Sequence, residues 1–316
     1  MNLPILFIIF NRPDTTEKVF QVIREAKPTR LYISADGPRK NRPTDYVLCE
    51  KTREIVKNID WECDVKMLFH QENFGCGKAV SGAIQWFFEN EEEGVILEDD
   101  CLPNPSFFHY CHKMLDYYRN DDRVKVISGD SALSESFTNS DDTYFFSAIP
   151  RVWGWASWRR AWNEYEFDSS KLNKKDFYKH LNEYFIDEKI KNHWKWIYNL
   201  MSNKHFNTWD YQLGFSIWMK QGLAITPFVN LISNIGFGQG ATHTTVVSEF
   251  RRDNLPTYNL EKIKHCSLVK QNKELDSQML NAEYEGISTL TLKYRIMLYW
   301  IKLQIKRSKL YKLIFS

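Results

Sequence analysis

The sequence predicts an α/β fold, a mostly parallel central sheet flanked by helices, with a helical C-terminal extension. Three observations carry this. Apolar runs of strand length alternate with helix-length segments from Pro4 to Leu97, the pattern of parallel strands joined by crossover helices. The run Val95-Ile96-Leu97 is apolar throughout, as strands buried between helix layers are. Each run stops at polar residues, and this one stops at three carboxylates, Glu98-Asp99-Asp100. Ligands of such sheets bind beyond the carboxyl ends of the strands.

The elements follow in order. Pro4 to Phe10 predicts a buried strand and Asn11-Arg12-Pro13 a loop, after which Asp14 or Thr15 caps a helix to about Ala26. Arg30 to Ala35 is a second strand, closed by the turn signal Asp36-Gly37-Pro38. Tyr46 to Ile59 is a helix and Val65 to Phe69 a third strand. The loop from Gln71 to Lys78 leads into a helix to about Asn90, and Val95 to Leu97 is the fourth strand. Beyond Pro105 the alternation loosens: a helix Ser106 to Tyr118, a strand Val124 to Ser128, the segment Thr143 to Ile149, and a Trp-rich stretch Arg151 to Trp162. Lys174 to Asn203 is charged and helical. Thr208-Trp209-Asp210 starts a helix to Lys220, and Leu223 to Thr226 is a strand. Ile232 to Thr245, rich in Gly and Asn, predicts a mobile loop. Arg251 to Glu285 is polar, with no clear element, and Thr289 to Phe315 is a basic, apolar helix. The expected division is a catalytic domain over 1–250 and an extension over 251–316.

Composition bounds the function. The 316 residues suffice for one large α/β domain. Lys plus Arg number 42 against 40 acids, so net charge names no partner, and no basic stripe in the catalytic region suggests nucleic acid. The six Cys show neither a CxxC pair nor zinc spacing. Scattered thiols with no secretory leader give a cytoplasmic expectation. No segment is long and uncharged enough to span a membrane.

Four strand ends carry polar groups on one edge of the sheet: Asn11 with Arg12, Asp36, Asn73 with Lys78, and Glu98 with Asp99 and Asp100. Arg and Lys suit phosphates. Asp36 suits a base imide or a ribose, and Asp100 a hard divalent cation that bridges two phosphates. Together they describe the needs of a nucleotide-diphosphate ligand. Each has a plainer reading alone: a solvated acidic turn, a tight turn at Asp36-Gly37-Pro38, a surface ion pair at Arg12.

The chain resembles the GT-A (Rossmann-like) nucleotide-sugar glycosyltransferases, and within them the inverting N-acetylglucosaminyltransferase I type and its bacterial relatives. The resemblance spans roughly residues 3 to 245. It rests on ordered motifs: Pro4 to Arg12, Ile33-Ser34-Ala35-Asp36-Gly37, Val95 to Asp100, Pro105 to Tyr110, Gly154-Trp155 with Trp158, Trp209-Asp210, and Gly240-Ala241-Thr242-His243. It implies that Arg12 contacts the diphosphate and Asp36 the uracil. Glu98 and Asp99 would lie near ribose and donor sugar, and Asp100 would bind Mn2+ or Mg2+. Asp210 would be the catalytic base, and Thr242 and His243 would lie on a loop that orders over the donor. Asn11 stands where that relative has an acid. Plainer readings remain for Asp210 (a helix N-cap), His243 (an exposed imidazole) and Trp153, Trp155, Trp158 and Trp162 (core rather than an acceptor groove).

The expected activity is metal-dependent, inverting transfer of a sugar from a nucleotide diphosphate to a glycan or lipid-linked acceptor. A sugar nucleotidyltransferase would carry a Gly-rich loop directly after the first strand, where this chain has Asn11-Arg12-Pro13. A non-catalytic nucleotide-sugar or carbohydrate-binding protein would bind donor without turnover. After Glu285 there are seven cations and no acid, interleaved with Leu292, Ile296, Tyr299, Trp300, Leu303, Leu310 and Leu313. That composition suits either peripheral contact with an anionic inner membrane face or a docked helix with a solvated basic side.

Overall fold

A computed structural model describes residues 2–131, 142–203, 207–236 and 254–284. The first strand fixes the centre of the sheet. β1 (Ile5–Ile9) is buried along its whole length, which requires a strand on either side and cover on both faces. It pairs in parallel with β2 (Arg30–Ala35) and with β4 (Glu93–Glu98). β2 pairs in parallel with β3 (Asp64–Phe69), the edge, where side chains are half-buried or exposed. The crossovers are α1 (Pro13–Ala26), α2 (Thr44–Ile55) and α3 (Cys76–Asn90). α1 buries Thr16, Val19, Phe20 and Ile23 on one stripe. The expected cap from Asp14 or Thr15 is not made. Pro13 instead opens the helix, where its missing N–H would have had no partner anyway.

The second half departs from the simple alternation. After β4 come β5 (Cys101–Pro103), α4 (Ser106–Tyr117), β6 (Val124–Ser128), β7 (Tyr144–Ser147), β8 (Trp155–Trp158) and α5 (Arg159–Trp162). Then follow α6 (Lys174–Tyr184), α7 (Glu188–Ser202), α8 (Asp210–Met219), β9 (Leu223–Pro227), β10 (Ile232–Asn234) and α9 (Lys273–Tyr284). The eight-stranded sheet has the order β3-β2-β1-β4-β8-β6-β9-β7. β8, drawn from the Trp-rich stretch, inserts antiparallel between β4 and β6. β9 is parallel to β6 and antiparallel to β7. The sheet is thus parallel through its first four strands and mixed beyond them.

The helical stretch from 174 to 203 is two helices. Asn173 caps α6, and Asp187 caps α7 by accepting from the Lys189 amide. Aromatic rings weld them to α8: Phe177 stacks on Tyr198 at 4.3 Å, and Trp194 meets Trp218 edge-on at 4.9 Å. Most of the tryptophan-rich region is therefore core. The polar segment 254–272, for which the sequence offered no element, lies along the sheet. Tyr258 donates its amide to Asn230, Leu260 to the Ser106 hydroxyl and Asn272 to the Phe146 carbonyl. α9 is anchored by buried Asp276, which accepts from the Ser147 hydroxyl, the Ala148 amide and the Gln271 side chain. This covers β7, an edge that would otherwise present unpaired backbone groups. Residues 254–284 thus pack on the same sheet as the rest.

Among the described residues no helix is long and apolar enough to cross a membrane. The basic C-terminal helix expected over 289–315 lies outside the described residues.

Candidate functional site

The acids sit where the strand ends converge. β4 ends at Glu98, in register with Ile8 of β1. The chain of β1 runs on to Phe10, whose amide donates to Asp99 Oδ2 at 2.9 Å. Two residues later the Arg12 guanidinium bonds the Asp100 carboxylate and stands 3.7 Å from Asp99. On the next strand over, Asp36 closes β2. Its Oδ1 accepts from the amides of Gly37 and Phe74, and its Oδ2 from Asn73 Nδ2 and the Gly75 amide, at 2.8–3.0 Å. These groups share one cavity of about 320 Å³, which Ser34, Arg39, Cys76, Trp153, Asn207, Asn234 and Gly236 also line.

The cavity holds more negative than positive charge. Burial, then the neighbouring charges of Asp100, Asp99 and Asp210, drives the Glu98 carboxyl above its ordinary range, and Arg12 opposes this. Asp99 is raised by burial and Asp100, against Arg12 and the Phe10 amide. Burial lowers the Arg12 pKa, but Asp99 and Asp100 more than offset it, so the guanidinium stays charged. Arg39 adds little, because its guanidinium is spent on Asp45 at 2.5 and 2.9 Å.

That excess and the all-oxygen donor set fit a hard divalent cation at Asp100. Among the described residues no three His, Cys, Asp or Glu side chains gather as a cage. A cation here would complete its shell with phosphate oxygens and water, as Mg2+ commonly does.

A second junction shapes the far wall. Gly75, with φ +80°, opens α3, and a Cβ there would collide with the Asn207 side chain. A Cβ on Gly77 would stand 2.8 Å from the Thr208 carbonyl. The two glycines let the 207–208 segment lie directly on α3, so α8 starts at the edge of the cavity. Asp210 is its first residue. Asp210 carries a hydrogen bond from the Thr208 hydroxyl and does not itself cap the helix. Its charge is felt at Glu98 and at Cys76, whose thiol is pushed up to about 12 by burial and then by Glu98, Asp210, Asp36 and Asp100.

Of the residues expected from sequence, Arg12, Asp36, Asn73, Glu98, Asp99 and Asp100 line the one cavity. Asp210 lies beyond the lining, within electrostatic reach of it. Lys78 is exposed and not part of the wall, because its place in the first turn of α3 lies between the inward positions Gly77 and Ala79. Thr242 and His243 lie outside the described residues. The described chain ahead of them ends at Gly236, packed so close to the Asp100 carboxylate that a Cβ would collide with it. Trp153 lines the cavity, whereas Trp155, Trp158 and Trp162 are buried. Sequence reasoning missed Cys76, Asn207, Asn234 and Gly236. The Gly-Cys-Gly spacing at a helix start was the available signal for the first two.

No known family model matches the chain, and no curated protein sequence matches it. Among solved structures, TarS 1–349 of S. aureus is similar with a TM-score of 0.37 and 10% identity over 73% of this chain. The match spans 60% of the TarS chain. HddC from Yersinia pseudotuberculosis gives 0.32 and 10% identity, over 50% of this chain and 77% of its own. A UDP-glucose pyrophosphorylase complexed with UDP-glucose gives 0.27 and 12%, over 46% and 63%. Likeness at these scores is distant, and the functional reading rests on the chain's own cavity.

Proposed function

We propose that the protein is a GT-A-type glycosyltransferase that moves a sugar from a nucleotide diphosphate, a UDP-sugar, to a glycan or lipid-linked acceptor with inversion. One observation carries the reading: three carboxylates at the end of β4 share the cavity with Arg12 and the polar end of β2, and the charge of Asp210 reaches Glu98 among them. An acidic cluster with a single facing arginine suits a ligand that brings phosphates and a cation together.

Each residue has a part. Arg12 leaves Asp100 for the diphosphate, a planar donor meeting phosphate oxygens. The Asp36–Asn73 unit shapes the base end, with Asp36 holding the 73–75 loop through three hydrogen bonds. Asp99 is held by the Phe10 amide and Glu98 faces the sugar. Asp210 takes the proton from the acceptor hydroxyl as it attacks. A divalent cation, Mn2+ or Mg2+ held at Asp100, supplies Lewis-acid stabilisation of the leaving diphosphate when bound. Thr242 and His243 belong to the proposal on sequence grounds only. The basic tail would keep the enzyme at a membrane face presenting a lipid-linked acceptor. Sugar nucleotidyl transfer is disfavoured because β1 runs through Arg12-Pro13 directly into α1, with no glycine loop to cradle a triphosphate.

The test is thermal unfolding against UDP, UDP-sugars and GDP-sugars, with and without manganese. A ligand of the native state raises the melting temperature with its saturation. The reading expects a shift with UDP-sugars that is larger with manganese, and loss of the manganese-dependent part in Asp100→Asn. No shift with any nucleotide would sink it. Binding without any product on natural glycan acceptors would leave a carbohydrate-binding protein.

A further inference from the structure

The segment before α8 carries an amide with one end fixed and the other, among the described residues, without an acceptor. Asn207 Oδ1 accepts from the Gly77 amide at 3.0 Å, in the first turn of α3. Only the oxygen can accept, so this bond decides which way round the amide lies. Gly75 and Gly77 make room for it: a Cβ on Gly75 would collide with Nδ2, and one on Gly77 would stand 2.9 Å from Oδ1. Asn207 is exposed and forms cavity wall with Cys76 and Glu98. Among the described residues nothing accepts a hydrogen bond from its Nδ2.

We infer that Asn207 Nδ2 donates to an oxygen of the transferred sugar, a ring hydroxyl or an N-acetyl carbonyl, and so sets sugar specificity. This rests on the nucleotide-sugar reading above. Position supports it. On that reading the nucleotide end of the cavity is the β2 side, closed by Asp36 and the donors it holds. Asn207 stands between that end and Asp210: its amide packs on Gly75 and bonds Gly77, and it lies three residues ahead of Asp210, whose charge reaches Glu98 and Cys76. Its neighbour Cys76 stays a neutral thiol, pushed up to about 12 by burial and the surrounding acids. Asn207 therefore offers a side-chain donor beside the Cys76 thiol and the Glu98 carboxyl. A site built to hydrogen-bond a substrate oxygen discriminates strongly against a ligand that lacks it.

The test is calorimetric titration of UDP, UDP-glucose and UDP-N-acetylglucosamine, with manganese, into wild type, Asn207→Ala and Asn207→Asp. The quantity read is the affinity of each sugar nucleotide relative to UDP. Wild type should bind at least one sugar nucleotide more tightly than UDP. Both variants should reduce that ratio by about five- to tenfold, the worth of one hydrogen bond. UDP affinity itself should stay within about threefold in Asn207→Ala, since a typical surface substitution costs little. Asn207→Asp keeps an acceptor for the Gly77 amide and loses the donor. Its added charge weakens all three ligands alike and cancels in the ratio. A loss with both sugars identifies a hydroxyl, and a loss confined to the N-acetyl sugar identifies the carbonyl. An unchanged ratio in both variants, or a wild-type ratio of one, overturns the inference and leaves Asn207 as a clamp between α3 and α8. Failure of the underlying reading looks different: wild type would bind none of the three ligands.

Discussion

The acids at the end of β4 are treated differently from the buried acids elsewhere in the protein, including Asp45 with Arg39 and Glu91 with Arg30 in the parallel half itself. In the mixed half, buried acids are matched within the protein. Asp130 meets Arg151 at 3.0 Å and Asp276 is held by three donors, and the buried Lys125 likewise meets half-exposed Glu164 at 2.7 Å. In the parallel half, Glu98, Asp99 and Asp100 stand together against Arg12. Burying an uncompensated charge is costly. Acids balanced elsewhere and left in surplus at the end of β4 are what the proposed ligand, arriving from solution with a cation, would require. On the proposed function, the comparison separates acids that hold the fold from acids that serve a ligand.

The largest way to break that distinction is at Asp210. If it serves the reaction, Asp210→Asn keeps nucleotide affinity within a few fold and lowers transfer by at least about a hundredfold, the scale of general-base catalysis. Asp130→Asn, in the mixed half, should instead lower the melting temperature, because it leaves buried Arg151 without its carboxylate. Single-turnover rates and unfolding curves of both variants decide it. A stable Asp210→Asn that transfers at wild-type rate would return Asp210 to a structural role.

The same contrast explains what the sequence made legible. Parallel strands buried on both faces are written as apolar runs, so β1, β2 and β4 could be found within a residue or two, and their polar ends with them; edge strand β3, half-buried or exposed, was found from the alternation of strands and helices. β8 could not. Trp-Ala-Ser-Trp has no alternation, since all four side chains are buried, and it pairs between strands far away in sequence. The segment 254–272 was opaque for another reason: it is fixed by backbone bonds to Asn230, Ser106 and Phe146, which leave no local pattern. At the site, charged residues at strand ends were visible. The cavity wall from Asn207, Asn234 and Gly236 was not, because it is made where loops distant in sequence touch. Lys78 misled for a local reason, following a polar loop while occupying an outward helix position.

A smaller effect sharpens the junction that brings Asp210 to the cavity. Gly75→Ala puts a side chain at φ +80°, against Asn207. Strain of this kind costs on the order of 1–3 kcal/mol. The α3–α8 contact should loosen, so hydrogen exchange should rise at Gly77 and in the first turn of α8, with transfer falling more than UDP affinity. Unchanged protection there would mean that the contact does not position Asp210.

The surplus charge itself should be measurable without any ligand. The folded Glu98 carboxyl is raised above its unfolded value, by burial first and then by its acidic neighbours. Its favourable contribution is therefore present at low pH and is lost as pH rises from about 4 through the raised value. Glu98→Gln should gain stability relative to wild type between pH 5 and pH 8, by on the order of 1 kcal/mol. A constant difference across that range would show that the acids are relieved by something other than protonation.

The smallest effect runs in the opposite direction and belongs to the helical half. His193 on α7 lies against Trp194 and Trp196, with ring centroids 5.4 and 6.2 Å away. Burial pushes its imidazole down to about 4. The unfolded chain holds this proton better than the folded one, so stability is full above the ordinary value of about 6.5 and falls as pH drops from there toward about 4. His193→Gln removes the proton site and should flatten that acid limb, while leaving the alkaline limb governed by Glu98 unchanged. The shift should be a degree or two in melting temperature, because the ring is only partly covered. Melting curves for wild type, His193→Gln, Glu98→Gln and the double variant between pH 4.5 and 8.5 give both slopes in one experiment. If the double variant is not the sum of its parts at each pH, the halves are coupled and the separation of structural from ligand-serving charge fails.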